Sequence, residues 1–250
     1  MTPNGNTILI TGGTSGIGRE LAREFQALGN KIIIAGRRKS MIDEMTAANP
    51  GMSGYVLDID DPNAIKEFAA KIAVDHPDLN VLVNNAGIMI AEDLTAETLD
   101  LAVAEATITT NLLGPIRLTA ALLPHLRKQS RSTIVNVSSG LAFVPLVITP
   151  TYNATKAAIH SYTISLRRQL QGTAVEVIEL IPPSVQTDLM PGHAEDPNAM
   201  PLADFISETM ALFQRQPTPS EIKVERLKFL RDAEAEGRFE QTFEMLNGSH

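Results

Sequence analysis

The sequence predicts one α/β domain built on a doubly wound parallel sheet, a three-layer arrangement with helices on both faces. Three observations predict it. Strand-like and helix-like segments alternate through the first 180 residues. The strand-like segments are continuous apolar runs, the pattern of strands buried on both faces. A glycine-rich turn joins the first of them to the first helix, where such folds place a ligand loop.

Thr7 to Thr11 is the first strand, and it stops at Gly12-Gly13. Gly18 to Leu28 has helical spacing, with Leu21, Ala22, Phe25 and Leu28 on one face, and Gly29-Asn30 ends it. Lys31 to Ala35 and Tyr55 to Leu57 are the second and third strands, and Pro62 opens a helix to about Asp75. Val81 to Val83 is the fourth strand. Glu97 to Lys128 reads as two successive helices, the second around Asn111 to Leu126. Thr133 to Val137 is the fifth strand, Tyr152 to Gln171 a long amphipathic helix and Ala174 to Leu180 the sixth strand. After Pro182-Pro183 the pattern changes. Residues 184–201, rich in Pro, Met and Asp, read as a lid loop over a substrate. Helices at Leu202 to Gln214 and Ser220 to Glu236, then a tail with Phe239 and Phe243, make 202–250 a helical C-terminal segment. Without repeats or a linker, 1–250 is expected to be a single domain.

At 250 residues the chain is long enough to bury roughly three quarters of its unfolded surface without metals or disulfides. It has no cysteine, which excludes disulfides and thiolate chemistry. The net charge of -8, from 21 basic and 29 acidic side chains, offers no attraction to nucleic acid or to an anionic membrane. No apolar run is long enough to span a bilayer, and the polar start (Thr2, Asn4, Asn6) does not read as a signal peptide, so a cytoplasmic location is expected. The histidines (His76, His125, His160, His193, His250) lack ligand spacing, so no metal site is expected. Asp60 and Asp61 sit in a strand-to-helix turn and read as capping or solvated, and Arg167 and Arg168 as the outer face of their helix or an interface.

The turn Thr11-Gly12-Gly13-Thr14-Ser15-Gly16-Ile17-Gly18 reads as a dinucleotide site. Glycines permit a sharp turn and close backbone approach to a pyrophosphate, and the helix start offers free N–H groups to it. Gly12, Thr14, Ser15, Gly16, Ile17 and Gly18 are therefore cofactor-binding candidates. The spacing lacks the Gly-Lys-Ser/Thr of a nucleoside triphosphate loop. The second strand ends Ala35-Gly36-Arg37-Arg38, with no acid to hold a ribose 2′-hydroxyl. A guanidinium can grip a 2′-phosphate, so NADP(H) is the expected cofactor, with Arg37 the main contact and Arg38 in support; NAD(H) stays open.

The glycine turn, Asn84-Asn85-Ala86-Gly87 after the fourth strand, Asn111, Ser138-Ser139 after the fifth strand, and Tyr152 followed by Lys156 together resemble the short-chain dehydrogenase/reductase family, in order and spacing, over roughly residues 7 to 190. The resemblance implies a Rossmann-type sheet of about seven strands, hydride transfer to or from nicotinamide, and dimers or tetramers. It implies adenine contacts at Asp58 and Ile59, a wall beside the cofactor at Asn85, Ala86 and Gly87, a nicotinamide amide contact at Thr187, and further cofactor contacts at Pro182 and Val185. It also implies that Asn111 supports a water linking Lys156 to solvent. Two departures stand out. Pro182-Pro183 replaces the family's Pro-Gly, and the Asp-Gly-Gly signature of a final strand is missing, so six or seven strands are expected. Dimerisation through the helices at Asn111 to Leu126 and Tyr152 to Gln171 is favoured over a tetramer, because their Ala- and Leu-rich faces can pack closely.

Tyr152 and Lys156 stand four apart on a helix and so share a face. A free phenol, with a pKa of about 10, is a poor base near neutrality. A neighbouring ammonium and an oxidised nicotinamide would favour the phenolate and lower that value. The phenol could then give a proton to a carbonyl oxygen, or remove it in reverse. Ser139, preferred to Ser138 on spacing, could hold the substrate oxygen. The residues expected around the reacting carbon (Ile88, Met89, Leu141, Phe143, Val144, Pro183, Leu189, Met190) suit a small apolar carbonyl or alcohol. The expected function is an NADP(H)-dependent carbonyl reductase or alcohol dehydrogenase. A non-catalytic NADP(H)-binding sensor or accessory protein of a cell-envelope pathway is the alternative, opposed by the complete Ser-Tyr-Lys-Asn set, and an isomerase or dehydratase is a third reading.

Overall fold

The computed structural model describes residues 1–98 and 100–248. Leu99, Ser249 and His250 lie outside the described residues, so the histidine noted at 250 and one position of the helix expected from Glu97 do too.

The elements alternate in chain order: β1 Thr7–Thr11, α1 Gly16–Ala27, β2 Lys31–Gly36, α2 Lys39–Ala48, β3 Ser53–Val56, α3 Pro62–Asp75 and β4 Leu79–Asn84. They continue as α4 Ala102–Ile108, α5 Gly114–Leu126, β5 Ser132–Val137, α6 Pro150–Gln169, β6 Val175–Leu180, α7 Leu202–Phe213, β7 Glu221–Ile222, α8 Lys228–Arg231 and α9 Phe239–Asn247. All strands pair in parallel, in the order β3-β2-β1-β4-β5-β6-β7. This is a Rossmann-type fold. Chain order reverses direction between β1 and β4, which opens a crevice at the carboxyl ends of those strands.

Burial explains the unbroken apolar runs. Every residue of β1 and β5 is buried, and each face of the sheet carries its own core. One core packs Ile8, Ile10, Val81 and Val135 against α1 and α7; the other packs Leu9, Leu82 and Ile134 against α3, α5 and α6. Asp61 caps α3, accepting hydrogen bonds from the N–H groups of Asn63 and Ala64 at 2.7 and 3.3 Å.

Three expectations need correction. Residues 220–236 are not one helix. Glu221–Ile222 form a seventh strand, because the N–H groups of Glu179 and Ile181 donate to Ser220 and Ile222 carbonyls at 2.9 and 3.1 Å. Ile222 and Val224 are buried while Glu221 and Lys223 pair at 3.6 Å, a strand alternation too short to stand out in sequence. The two successive helices expected from Glu97 are present but begin later, at Ala102, and α4 and α5 are joined without a break by a π-helical turn, Thr109–Leu113. Pro115 lacks an N–H to return to Asn111, which suits such a local widening. Arg167 does not line the outer face of α6. It ties the helix to the sheet edge, donating to the Val177 and Ser220 carbonyls, both at 2.9 Å. Helix α2, not among the elements expected, buries Ile42 and Met45.

The C-terminal segment is part of this unit. Phe213 of α7, only 2% exposed, meets Phe25 of α1 edge-on at 5.3 Å between ring centroids. Phe213→Ala should cost about 3–5 kcal/mol, read as a lower urea midpoint with an unchanged m-value. An unaltered midpoint would show that α7 is outside the cooperative core.

Candidate active site

The crevice between β1 and β4 is a cavity of about 1000 Å³. Its first wall is held by a clasp between the two strands. The Thr11 hydroxyl oxygen accepts from the N–H groups of Asn85 and Ala86 at 3.0 and 3.1 Å, and the Asn85 amide donates back to the Thr11 carbonyl at 2.9 Å. So close an approach leaves no room for a side chain at Gly18. A Cβ on Gly18 would lie 2.4 Å from both the Gly12 carbonyl oxygen and Asn85 Nδ2. Gly12 and Gly16 also adopt positive φ, 65° and 51°, which favours glycine. Helix α1 begins at Gly16 with no side chain capping its free N–H groups, and they face a cavity that Thr14, Ser15, Gly16, Ile17 and Gly18 line. Backbone closeness, uncapped donors and space together fit a dinucleotide pyrophosphate.

Arg37 and Arg38 line the same cavity beyond β2. Arg37 is 59% exposed and 3.8 Å from an Asp60 carboxylate that also accepts from Thr110; Arg38 reaches Ser15 Oγ at 3.4 Å. Arg38 thus touches the glycine turn at Ser15, while Arg37 stands beside Asp60. Among the expected cofactor residues, Ile59, Asn85, Ala86, Gly87, Pro182, Val185 and Thr187 line the cavity as well. Asp58 does not: it is exposed, and its carboxylate accepts from the Asp60 N–H at 3.1 Å.

Tyr152, Lys156 and Ser139 meet on the opposite wall. The i, i+4 spacing on α6 puts Lys156 Nζ 5.5 Å from the Tyr152 ring centre, and Nζ donates to the Val137 carbonyl at 2.9 Å. Ser139 Oγ accepts from the Leu141 N–H at 3.1 Å, which leaves the hydroxyl proton available. Electrostatics differ from the expectation of a lowered phenol pKa. Burial pushes Tyr152 up to about 12, and the Ser139 hydroxyl pulls it only partly back. Burial also pushes Lys156 down to about 8. The phenol is thus a neutral donor at pH 7. The reason is that burial raises the phenol further than the Ser139 hydroxyl lowers it.

Asn111 sits in the π-helical turn, buried, and does not line the cavity. Its side chain grips Ile88, accepting from the N–H and donating to the carbonyl, both at 2.8 Å. Only Gly87 separates it from the lysine: a Cβ there would lie 3.2 Å from Asn111 Oδ1 and 3.8 Å from Lys156 Nζ.

Ser138, the rejected neighbour of Ser139, turns away into the protein. Its hydroxyl donates to Glu179 at 2.5 Å, and Glu179, fully buried on β6, also takes His160 Nδ1 at 2.9 Å. This network joins the loop after β5, helix α6 and strand β6. His160 is thereby occupied, as are His76, against Tyr55, and His125, against the Leu79 carbonyl.

The remaining half of the cavity is apolar. Ile88, Met89, Leu141, Pro183 and Leu189 line it as expected. Phe143 and Val144 do not; Phe143 packs edge-on against His160 under Arg231, and Val144 packs on the C-terminal segment. Met190 is also absent from the lining and joins the small cluster of Met89, Leu146 and Tyr152. In their place stand Ile90, Leu146, Phe229, Leu230, Met245 and Leu246. The last four come from α8 and α9, and no local spacing linked them to the site. The loop of residues 184–201 is tied at its neck, where Gln186 N–H donates to the Met200 carbonyl and Met200 N–H to the Ser184 carbonyl, both at 2.9 Å.

A family model described as short chain dehydrogenase matches residues 6–198. The chain is 40% identical over 253 aligned positions to the uncharacterized oxidoreductase DltE of Bacillus subtilis (strain 168), covering 99% of this chain and 98% of that protein. It is 34% identical to the NADP-dependent 3-hydroxy acid dehydrogenase YdfG of Salmonella typhi over 70% of this chain and 71% of that one. A solved structure, the closed form of serine dehydrogenase complexed with NADP+, superposes with a TM-score of 0.78 at 25% identity, covering 87% of this chain and 94% of that one.

Burying Lys156 has a cost in stability. Its pKa in the folded chain, about 8, lies below the ordinary 10.5. Between those values the unfolded chain binds more protons, so wild-type stability rises with pH there. Lys156→Met should therefore raise the thermal midpoint by a few degrees at neutral pH, and the gain should shrink as pH climbs through that window. A lower midpoint at pH 7 would contradict it.

Proposed function

This chain belongs to the short chain dehydrogenase family, and from that premise we propose that it is an NADP(H)-dependent oxidoreductase interconverting a carbonyl and an alcohol. One observation carries the reading: the Tyr152 phenol, the Ser139 hydroxyl and the Lys156 amine border the same cavity as the glycine turn. When bound, the reduced nicotinamide supplies hydride to the carbonyl carbon. The Ser139 hydroxyl, its proton not spent on Leu141, holds the carbonyl oxygen and steadies charge as it grows there. The neutral Tyr152 phenol delivers the proton to that oxygen. Lys156, fixed by the Val137 carbonyl beneath the ring, offsets the negative charge left on the phenol. For NADP(H), the support is the Arg37–Arg38 pair without an acid at the end of β2, together with an NADP-dependent relative and an NADP+-bound structural neighbour. A non-catalytic nucleotide sensor would have no use for a buried lysine and phenol that cost it stability. In the same reading the enzyme is a dimer across α5 and α6, where Ile164 is 46% exposed.

Tyr152→Phe should bind NADPH as the wild type does and lose at least about a hundredfold in kcat, measured by fluorescence titration and by NADPH oxidation at 340 nm; full turnover would reject the phenol as acid. Carbonyl reduction by the wild type should fall as pH rises past about 8, where Lys156 loses its charge; a rate climbing to pH 10 would contradict this. Arg37→Ser should raise KM for NADPH about tenfold or more and leave that for NADH near its wild-type value; equal loss with both would remove the 2′-phosphate contact.

A further inference from the structure

The cofactor end of the cavity is cationic, and the substrate end is not. Beyond Tyr152 the walls include Met89, Leu141, Leu146, Leu230 and Leu246, with Leu141 and Leu246 packed on the cluster of Met89, Leu146 and Tyr152. The mouth carries large apolar side chains in contact with solvent: Ile90 and Leu189 are 41% exposed, Phe229 42% and Met245 66%. An apolar lining that continues outward onto the surface is a track for a ligand longer than the reacting group.

The charges around this half point the same way. Residues 184–201 of the lid contain no lysine or arginine, only His193 beside Asp188, Glu195 and Asp196. Asp188 lines the cavity, is exposed, and makes no ion pair among the described residues. None of the six cations of the C-terminal segment lines the cavity, and five are engaged, Lys223 with Glu221 among them. Arg231 pairs with Glu221 at 3.1 Å, Lys228 with Glu225 and Arg238 with Glu236, while Arg226 donates to the Asn198 carbonyl. A carboxylate entering here would lose water and gain no guanidinium or ammonium, apart from a lysine already bonded to Val137. The relatives named for a 3-hydroxy acid and for serine act on substrates that carry a carboxylate.

We propose that, within the carbonyl reductase reading on which this rests, the substrate is an uncharged carbonyl compound with an extended apolar tail that leaves the reacting carbon along Leu146 and Leu246 and emerges between Phe229 and Met245, and that the lid and the C-terminal segment together exclude carboxylated substrates. This specificity sets the protein apart from its acid-acting relatives.

The test is a length series. NADPH oxidation is followed with straight-chain aldehydes from propanal to decanal and with ω-carboxylated aldehydes of equal length. In parallel, calorimetry follows unreactive n-alkyl amides binding to the NADP+-loaded protein. The inference expects kcat/KM and amide affinity to rise about three- to fourfold per methylene while the tail lies in the track, with carboxylated partners about tenfold or more poorer. Phe229→Glu should flatten the long end of both series. A flat series, or a preference for carboxylated aldehydes, would overturn the inference and leave the reductase reading standing. No turnover of any aldehyde together with the same rise in amide affinity would fail the reductase reading and uphold the apolar track. Neither turnover nor any dependence on length would remove both.

Discussion

The whole site depends on how closely β1 and β4 approach at the point where the sheet reverses its winding. Thr11 accepts three hydrogen bonds across that point, two at its hydroxyl from the Asn85 and Ala86 N–H groups and one at its carbonyl from the Asn85 amide. Thr11 itself is buried, so leaving its hydroxyl or carbonyl unpaired would forfeit more than the bond itself. The clasp pulls the backbones together until a methyl on Gly18 would collide with both Gly12 and Asn85. Glycine is thus required by packing as well as by the nucleotide. Once the turn is fixed, so are the start of α1, the direction of its uncapped N–H groups and the floor of the cavity.

The opposite wall is built differently, from ionisable groups removed from water. Tyr152, Lys156 and Glu179 are 5%, 5% and 0% exposed. Lys156 and Glu179 are anchored by hydrogen bonds to neighbouring elements, and the anchors interlock. Lys156 is tied to the end of β5 through Val137, Glu179 to the next residue through Ser138, and Ser139 follows immediately. A second polar ladder runs beneath, from Thr119 through Asn84 and Asn136 to Thr163, and joins α5, β4, β5 and α6. Such groups weaken the fold relative to apolar ones of similar size, and in return they hold donors and acceptors rigidly where water cannot compete.

Much of this was legible because it is local. The glycine turn, the two arginines after β2 and the four-residue step from Tyr152 to Lys156 are short patterns with one geometric meaning each, and all of them border one cavity. What escaped notice depends on distance along the chain or on depth. Glu179 is an acid in the apolar strand Val175–Leu180, which by itself asks for a buried partner, but His160 lies 19 residues away on another element. The phenol's pKa moved opposite to expectation, since spacing reveals a neighbouring charge and says nothing of how much solvent remains. The seventh strand has two residues, less than one period of any pattern. Phe229 and Met245 belong to short helices whose amphipathic faces say that they pack, and not on what.

The cleft draws its two halves from separate stretches of the gene. Glycines and arginines near the amino end shape the nucleotide's berth, whereas the far wall of the other chamber comes from the last twenty-odd positions, on α8 and α9. Those helices hold none of the groups that would move a proton. Selection can therefore rewrite the tail, altering which molecules are admitted, while the chemical apparatus is inherited intact. Modularity of this kind lets one ancestral scaffold diversify into enzymes that share a reaction and differ in diet.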